Sequence, residues 1–94
     1  LVAYQEGSVV SRQITKQEAG NVTLFAFDAG QELSEHRAPF DALVEVLEGE
    51  AEVRLAGTPY VLAAGEAIIM PGNVPHALKA LKPFKMLLTM IRSD

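Results

Sequence analysis

Two histidines, His36 and His76, are the residues of this chain best suited to chemistry, and they are its only histidines. Each lies beside a marked turn, with Gly30 before the first ring and Pro71 and Pro75 before the second. A neutral imidazole ligates divalent metals or exchanges hydrogen bonds with an organic molecule near neutral pH. The chain has no cysteine, which excludes disulfides, thiolate metal sites and cysteine nucleophiles. No serine–histidine–acid or phosphate-cradling glycine motif offers a rival chemistry.

Short strands must position these two rings. Turn signals rich in glycine, proline, asparagine and aspartate recur along the chain with no helix-length apolar period between them, which is typical of an antiparallel sandwich or barrel. Residues 15–18, TKQE, have the spacing of a helix capping box, but no helical period follows, so a loop between two strands is favoured. The predicted strands are 8–15, 21–27, 33–36, 41–47, 51–55, 58–62, 67–70, 76–80 and 84–91.

Hydrophobic alternation indicates which side chains face the interior of this all-β fold. In the strand 41–47, Ala42, Val44 and Val46 share one face, because successive side chains of a strand point to opposite sides. The strand 21–27, NVTLFAF, is apolar on both faces. We therefore expect both of its faces to be covered.

Chain length and composition limit the number of domains and the kinds of partner that we expect. The chain has 94 residues and is interpreted as one domain, residues 1–94. Hydrophobic residues make up 49%, a high share for a domain with so small a core, so a second copy is expected to cover part of them in a homodimer. The net charge of −4 argues against nucleic acid as a partner. No apolar run reaches the roughly 20 residues of a membrane span and no secretory signal is recognised, which predicts a cytoplasmic protein without membrane association.

Two stretches, residues 30–49 and 65–76, resemble the paired motifs of the cupin superfamily, in its small single-domain cupin 2 conserved-barrel form. The matching positions are Gly30, His36, Glu48 and Gly49 in the first motif, and Gly65, Pro71 and His76 in the second. The resemblance covers about residues 20–92. It implies a double-stranded β-helix, the jelly-roll or cupin barrel, with both histidines side by side at the barrel mouth.

The resemblance also implies a metal site, which this chain retains only in part. In metal-dependent members, three histidines and a glutamate hold the ion. The second of these histidines falls here on Ala38 and the glutamate on Ala42, so that His36 and His76 remain as the metal ligands. Asn73 replaces a glycine of the second motif and is expected to take up the left-handed turn conformation that glycine usually supplies.

Two imidazoles alone are too few for a catalytic metal, which usually has three protein ligands. The carboxylates near the motif are Glu32, Glu35, Asp41 and Glu45. Strand alternation directs Asp41 and Glu45 away from the interior. A divalent metal, whether zinc, nickel, iron or manganese, is therefore one alternative for the cofactor, and no cofactor is the other.

Without a metal, two neutral imidazoles beside an apolar pocket can hydrogen-bond a carboxylate, a sugar hydroxyl or a phenol. The predicted pocket residues are His36, His76, Ala38, Ala42, Val44, Tyr60 and Leu78, although a core or interface position is favoured for Tyr60. The first functional hypothesis is a barrel that binds a small organic molecule. The alternatives are a metal-dependent oxygenase or isomerase and a structural or sensory dimeric barrel; no catalytic residue is predicted.

Overall fold

The fold of the chain is all-β, as the sequence predicts. A computed structural model describes residues 2–17 and 20–92, and no helix long and apolar enough to cross a membrane occurs among them. Two antiparallel sheets contain nine strands. They are β1 (Val9–Gln17), β2 (Gly20–Phe27), β3 (Glu32–His36), β4 (Phe40–Glu48), β5 (Glu50–Leu55), β6 (Thr58–Ala63), β7 (Ala67–Met70), β8 (His76–Ala80) and β9 (Phe84–Arg92).

The strands form a double-stranded β-helix. The five-stranded sheet has the order β1-β2-β9-β4-β7, and the four-stranded sheet has the order β3-β8-β5-β6. All nine predicted strands are present, and the bounds of β2 to β9 differ from the prediction by at most one residue at either end. The alternation of apolar and polar residues is a local property that any strand with one buried face must have, which is why it locates these strands.

The first strand is longer than predicted. Lys16 and Gln17 were expected in a loop, with a single helical turn as the alternative, but they belong to β1 and pair with Asn21 and Gly20. The ladder with β2 supplies the backbone hydrogen bonds that a loop would have left to water. The last residue of the predicted capping box, Glu18, lies outside the described residues.

The hydrophobic core lies between the two sheets. Val44 and Val46 are fully buried and Ala42 is 5% exposed, which confirms the predicted inward face of β4. Phe27 of β2 stacks on Phe84 of β9 with ring centroids 4.6 Å apart. Burial of each large apolar side chain contributes about 1.5–3 kcal/mol, so this layer is the main source of stability.

The N-terminal segment covers one end of the outer face of the five-stranded sheet. The Tyr4 hydroxyl donates a 2.8 Å hydrogen bond to Glu48 Oε2, and Lys85 Nζ lies 4.9 Å from the centroid of the Tyr4 ring. Burial, with the hydrogen bond to Glu48, raises the pKa of Tyr4 to about 12. Ala26 is fully buried beside Lys85, although it lies on this outer face.

Gly49 closes the turn between β4 and β5 against the start of β9. Its φ of 83° is in the left-handed region, and a Cβ at this position would overlap the carbonyl oxygen of Pro83 and the backbone of Phe84. Both the conformation and the close approach require glycine here. The glycine at the end of the first motif thus allows β4, β5 and β9 to meet.

We predict that Gly49→Ala destabilises the protein more than Gly57→Ala does. Gly57 has a similar φ of 85° but no atom within 4 Å of an added Cβ. We expect Gly57→Ala to lower the free energy of unfolding by about 1–2 kcal/mol through φ strain alone. Gly49→Ala should cost roughly 3 kcal/mol or more, because backbone must also move. Urea denaturation measures both values, and equal losses would contradict the close approach.

Candidate functional site

The two histidines are direct neighbours, although they are 40 residues apart in the chain. β3 and β8 are antiparallel, and His36 lies opposite His76 in their ladder. The two Nε2 atoms are 3.0 Å apart, and the rings meet edge to face with centroids 4.2 Å apart. The expectation that these rings become neighbours is confirmed.

A β-bulge in β3 sets the direction of His36. Leu33 pairs with Leu78 and His36 with His76, so β3 uses three steps where β8 uses two. Without the extra residue, Glu35 would lie opposite His76 and His36 would point to the other face. Bulges redirect side chains in this way near the ends of strands. The predicted extended piece 33–36 contained no sign of this irregularity.

Loop contacts hold the two strand ends together. The Asn73 N–H donates a 2.8 Å hydrogen bond to the carbonyl oxygen of Ala38, and the Gly72 N–H donates one of 2.7 Å to Asp41 Oδ1. Asn73 has a φ of 63°, which confirms its predicted left-handed conformation. The turn before His76 is thereby fixed to the segment that follows His36.

Backbone carbonyls determine the tautomer of both rings. His36 Nδ1 lies 2.9 Å from the Ser34 carbonyl oxygen, and His76 Nδ1 lies 3.1 Å from that of Val74. A carbonyl oxygen only accepts, so we assign the ring proton to Nδ1 in each case. The Nε2 atom of a neutral ring then carries a lone pair. Both lone pairs point to the same place.

His76 is the more buried ring, with 6% of its surface exposed. Burial lowers the pKa of His76, because the charged ring would lose its water; the hydrogen bond to Val74 opposes this effect and the nearby His36 adds to it. His76 is therefore neutral at pH 7. A neutral His76 keeps its Nε2 lone pair available.

The two neutral rings carry one proton too few for the three short contacts that their nitrogen atoms make. Three contacts, two Nδ1–carbonyl contacts and one Nε2–Nε2 contact, each need a proton, whereas two neutral rings carry only two. Two lone pairs 3.0 Å apart repel each other unless a proton, a donor group or a cation lies between them. The site is therefore built to accept one of these.

The other predicted pocket residues differ in their surroundings. Ala42, Val44 and Leu78 lie in the packed core cluster, at 5%, 0% and 3% exposure. Ala38 is half-buried and contributes its carbonyl oxygen to the loop contact. Tyr60 lies opposite Val53 on the β6 edge strand and is 44% exposed. A ligand-contacting role for these five residues stays a prediction.

A groove that the sequence did not predict lies on the outer face of the four-stranded sheet. Its volume is about 500 Å³, and it runs over Ala77 of β8 between charged residues of β3 and β5. No local sequence signal marks this groove, because its walls come from the strands that flank β8. Neither histidine lines this groove.

The donor set fits a cation only loosely. Within residues 2–17 and 20–92, no group of three or more histidine, cysteine or acidic side chains could hold a metal ion. Asp41 bonds the Gly72 backbone instead, and Glu45 lies opposite Leu87 on the outer face. Two imidazoles can hold a divalent ion whose other positions are filled by water or ligand oxygens. They do not provide the three protein ligands of a catalytic centre.

Comparisons with known proteins agree with this architecture. The Cupin domain family matches residues 23–91. The structure of the conserved protein SPY1581 of unknown function from Streptococcus pyogenes is 36% identical with a TM-score of 0.92, covering 96% of this chain and 79% of that one. A comparison with curated protein sequences found no match.

Two further solved structures are similar. A cupin 2 conserved barrel domain protein from Leptotrichia buccalis is 39% identical with a TM-score of 0.94, covering 97% of this chain and 44% of that one. A cupin superfamily protein from Desulfitobacterium hafniense is 25% identical with a TM-score of 0.94, covering 98% and 84% of the two chains.

We predict that both histidines are Nδ1–H tautomers. Nitrogen NMR of protein labelled at histidine, recorded near pH 8, measures this directly, since two ring systems give few signals. Each Nδ1 should be protonated and each Nε2 unprotonated, the reverse of the usual preference of free histidine. An Nε2–H signal from either ring would contradict the assignment.

We predict that Asp41→Ala disturbs the site, whereas Asp28→Ala does not. Each carboxylate accepts a 2.7 Å hydrogen bond from a glycine N–H, Gly72 and Gly7 respectively. Each substitution should lower the free energy of unfolding by about 1 kcal/mol. Only Asp41→Ala loosens the turn before His76, so only this variant should shift the His76 ring signals. Unchanged His76 signals in Asp41→Ala would show that Asp41 has no positioning role.

Proposed function

Because the chain belongs to the cupin family, we propose that it is a small-molecule-binding barrel that holds an organic ligand at His36 and His76. One observation carries this proposal: the two Nε2 atoms converge at 3.0 Å while both Nδ1 atoms are bound to carbonyls. A ligand group placed beside both Nε2 atoms relieves the repulsion between their lone pairs.

The proton balance defines the group that this site prefers. Two acceptors favour a ligand that brings a donor, such as a phenol or a sugar hydroxyl. A carboxylate brings only acceptors, so it binds the pair only after a ring has gained a proton. At pH 7 and above, hydroxyl-bearing ligands are therefore the favoured class, with His76 kept neutral by its burial.

The two Nε2 lone pairs could also bind a divalent cation. His36 and His76 would hold it, and its open positions would orient ligand oxygens. With two protein ligands the affinity should be low. The ion, zinc, nickel, iron or manganese, would then exchange readily with solution.

The proposal also covers the oligomeric state and the cellular location of the protein. We propose a homodimer, supported by the 49% share of hydrophobic residues, and a cytoplasmic location, with which a chain free of cysteine is compatible. Neither nucleic acid nor a membrane is proposed as a partner.

We predict that phenol binds at the pair and that benzoate does not. The two probes share a ring and differ in whether they offer a proton at pH 8. Phenol should shift the ring signals of both histidines in protein treated with chelator, and His36→Ala and His76→Ala should each abolish its binding. Stronger binding of benzoate at pH 8, or phenol binding unchanged in both variants, would refute the proposal.

Metal analysis of untagged protein tests whether a divalent cation occupies the histidine pair. We expect substoichiometric metal after purification. Stoichiometric iron, manganese or nickel, retained on dialysis and lost in both histidine variants, would instead favour a metal-dependent enzyme.

A further inference from the structure

The groove over Ala77 carries charges of opposite sign on its two sides. Glu32 and Glu35 of β3 line one side, Arg54 of β5 lines the other, and Lys79 lies on the central strand β8. β3 and β5 both pair with β8 and flank it on opposite sides. A ligand that lies across β8 would therefore meet carboxylates at one end and a guanidinium at the other.

Ala77 makes room for such a ligand. Its register partner on β5 is Arg54, and the two residues of the β3 bulge, Ser34 and Glu35, lie between the register pairs that flank it. A methyl group among longer side chains leaves a depression in the surface. The volume of about 500 Å³ is within the range of small-molecule sites.

Two of the charged groups in the groove have no partner within the described part of the chain. Lys79 is the register neighbour of Glu32 and Glu52, but its ammonium group forms an ion pair with neither of them. The Glu35 carboxylate likewise has no hydrogen bond or ion pair among residues 2–17 and 20–92. Both charges are available to a ligand.

Glu52 positions Arg54 for a further contact. The Arg54 Nε–H donates a 3.3 Å hydrogen bond to Glu52 Oε2, and the Glu52 side chain is only 20% exposed, against 57% for Arg54. This contact neutralises Glu52 and leaves the terminal amino groups of Arg54 uncommitted. A guanidinium held in this way can bind a carboxylate through charge-assisted hydrogen bonds.

We propose that the groove is a second ligand site, which binds a short zwitterion of dipeptide length across Ala77. Its ammonium group lies at Glu35, and its carboxylate lies at Arg54 and Lys79. β3 and β5 are two strand spacings apart, about 9.6 Å. An extended dipeptide is roughly 7 Å long, and a hydrogen bond of about 2.9 Å at each end gives a comparable span. A ligand with a single charge would match only one side of the groove.

This site goes beyond the proposed function, because neither histidine lines the groove. The same bulge in β3 serves both places, since it pairs His36 with His76 and leaves Ser34 and Glu35 beside Ala77. A zwitterion in the groove and a hydroxyl-bearing ligand at the histidines can therefore be tested independently.

Titration with alanylalanine at pH 7 and low salt tests the proposal. Backbone amide NMR signals of Ala77 and Arg54 should shift and reach saturation, with a dissociation constant on the order of 1 mM, because the charged groups are largely solvated. N-acetyl-alanylalanine lacks the ammonium group and alanylalanine amide lacks the carboxylate. Each should bind roughly tenfold or more weakly. Equal binding of either blocked compound, or no saturation by about 10 mM dipeptide, would overturn the proposal.

Matched substitutions locate the two charged contacts. Arg54→Gln and Glu35→Gln should each weaken alanylalanine binding roughly tenfold. Arg92→Gln and Glu45→Gln make the same changes at residues that do not line the groove, and they should leave binding unchanged. Equal effects of the groove variants and their controls would show that the dipeptide does not occupy this site.

A third variant tests the shape of the groove without altering its charge. Ala77→Leu should abolish alanylalanine binding, and an unchanged circular dichroism spectrum would show that the fold is intact. Alanylalanine should still bind to His36→Ala, and phenol should still shift the histidine signals of Arg54→Gln. Undiminished binding to Ala77→Leu, or loss of binding in His36→Ala, would place the dipeptide elsewhere and overturn the groove site.

Discussion

The register between β3 and β8 is the constraint on which the candidate site depends. Residues directly opposite each other in an antiparallel ladder share a face, so the pairing of His36 with His76 brings the rings together. A slip of one residue would turn one ring to the other face. The bulge before His36 sets the phase, and the contacts of the turn at Gly72 and Asn73 keep the two strand ends in place.

The chemistry of the pair follows from local backbone geometry. Each Nδ1 meets the carbonyl oxygen two residues earlier in its own chain segment, Ser34 for one ring and Val74 for the other. The local backbone before each histidine therefore fixes the tautomer, and the cross-strand pairing aligns the two remaining lone pairs. A short-range effect and a long-range one together create an acceptor pair that neither would produce alone.

The difference between local and long-range interactions also explains which features the sequence could predict and which it could not. Strand positions, the inward face at Val44 and Val46 and the left-handed Asn73 were predictable, because alternation and turn chemistry are local. The motif spacing identified both histidines. The bulge in β3 and the extension of β1 depend on partner strands, and nothing in residues 33–36 or 16–17 encodes the partner. The groove over Ala77 likewise requires knowing which strands flank β8.

Composition shows that the chain is rich in apolar residues, but only the structure shows that some of them lie on the outer face of the five-stranded sheet. Along β4, Ala42 faces the core while its neighbour Leu43 faces outward in the row with Thr89 and Ile69, so adjacent residues serve two different surfaces. A domain of this size buries only a modest fraction of its surface in its own core. The apolar residues of the chain are therefore divided between the core and the outer face of the five-stranded sheet, where Ile69 and Ile91 are exposed.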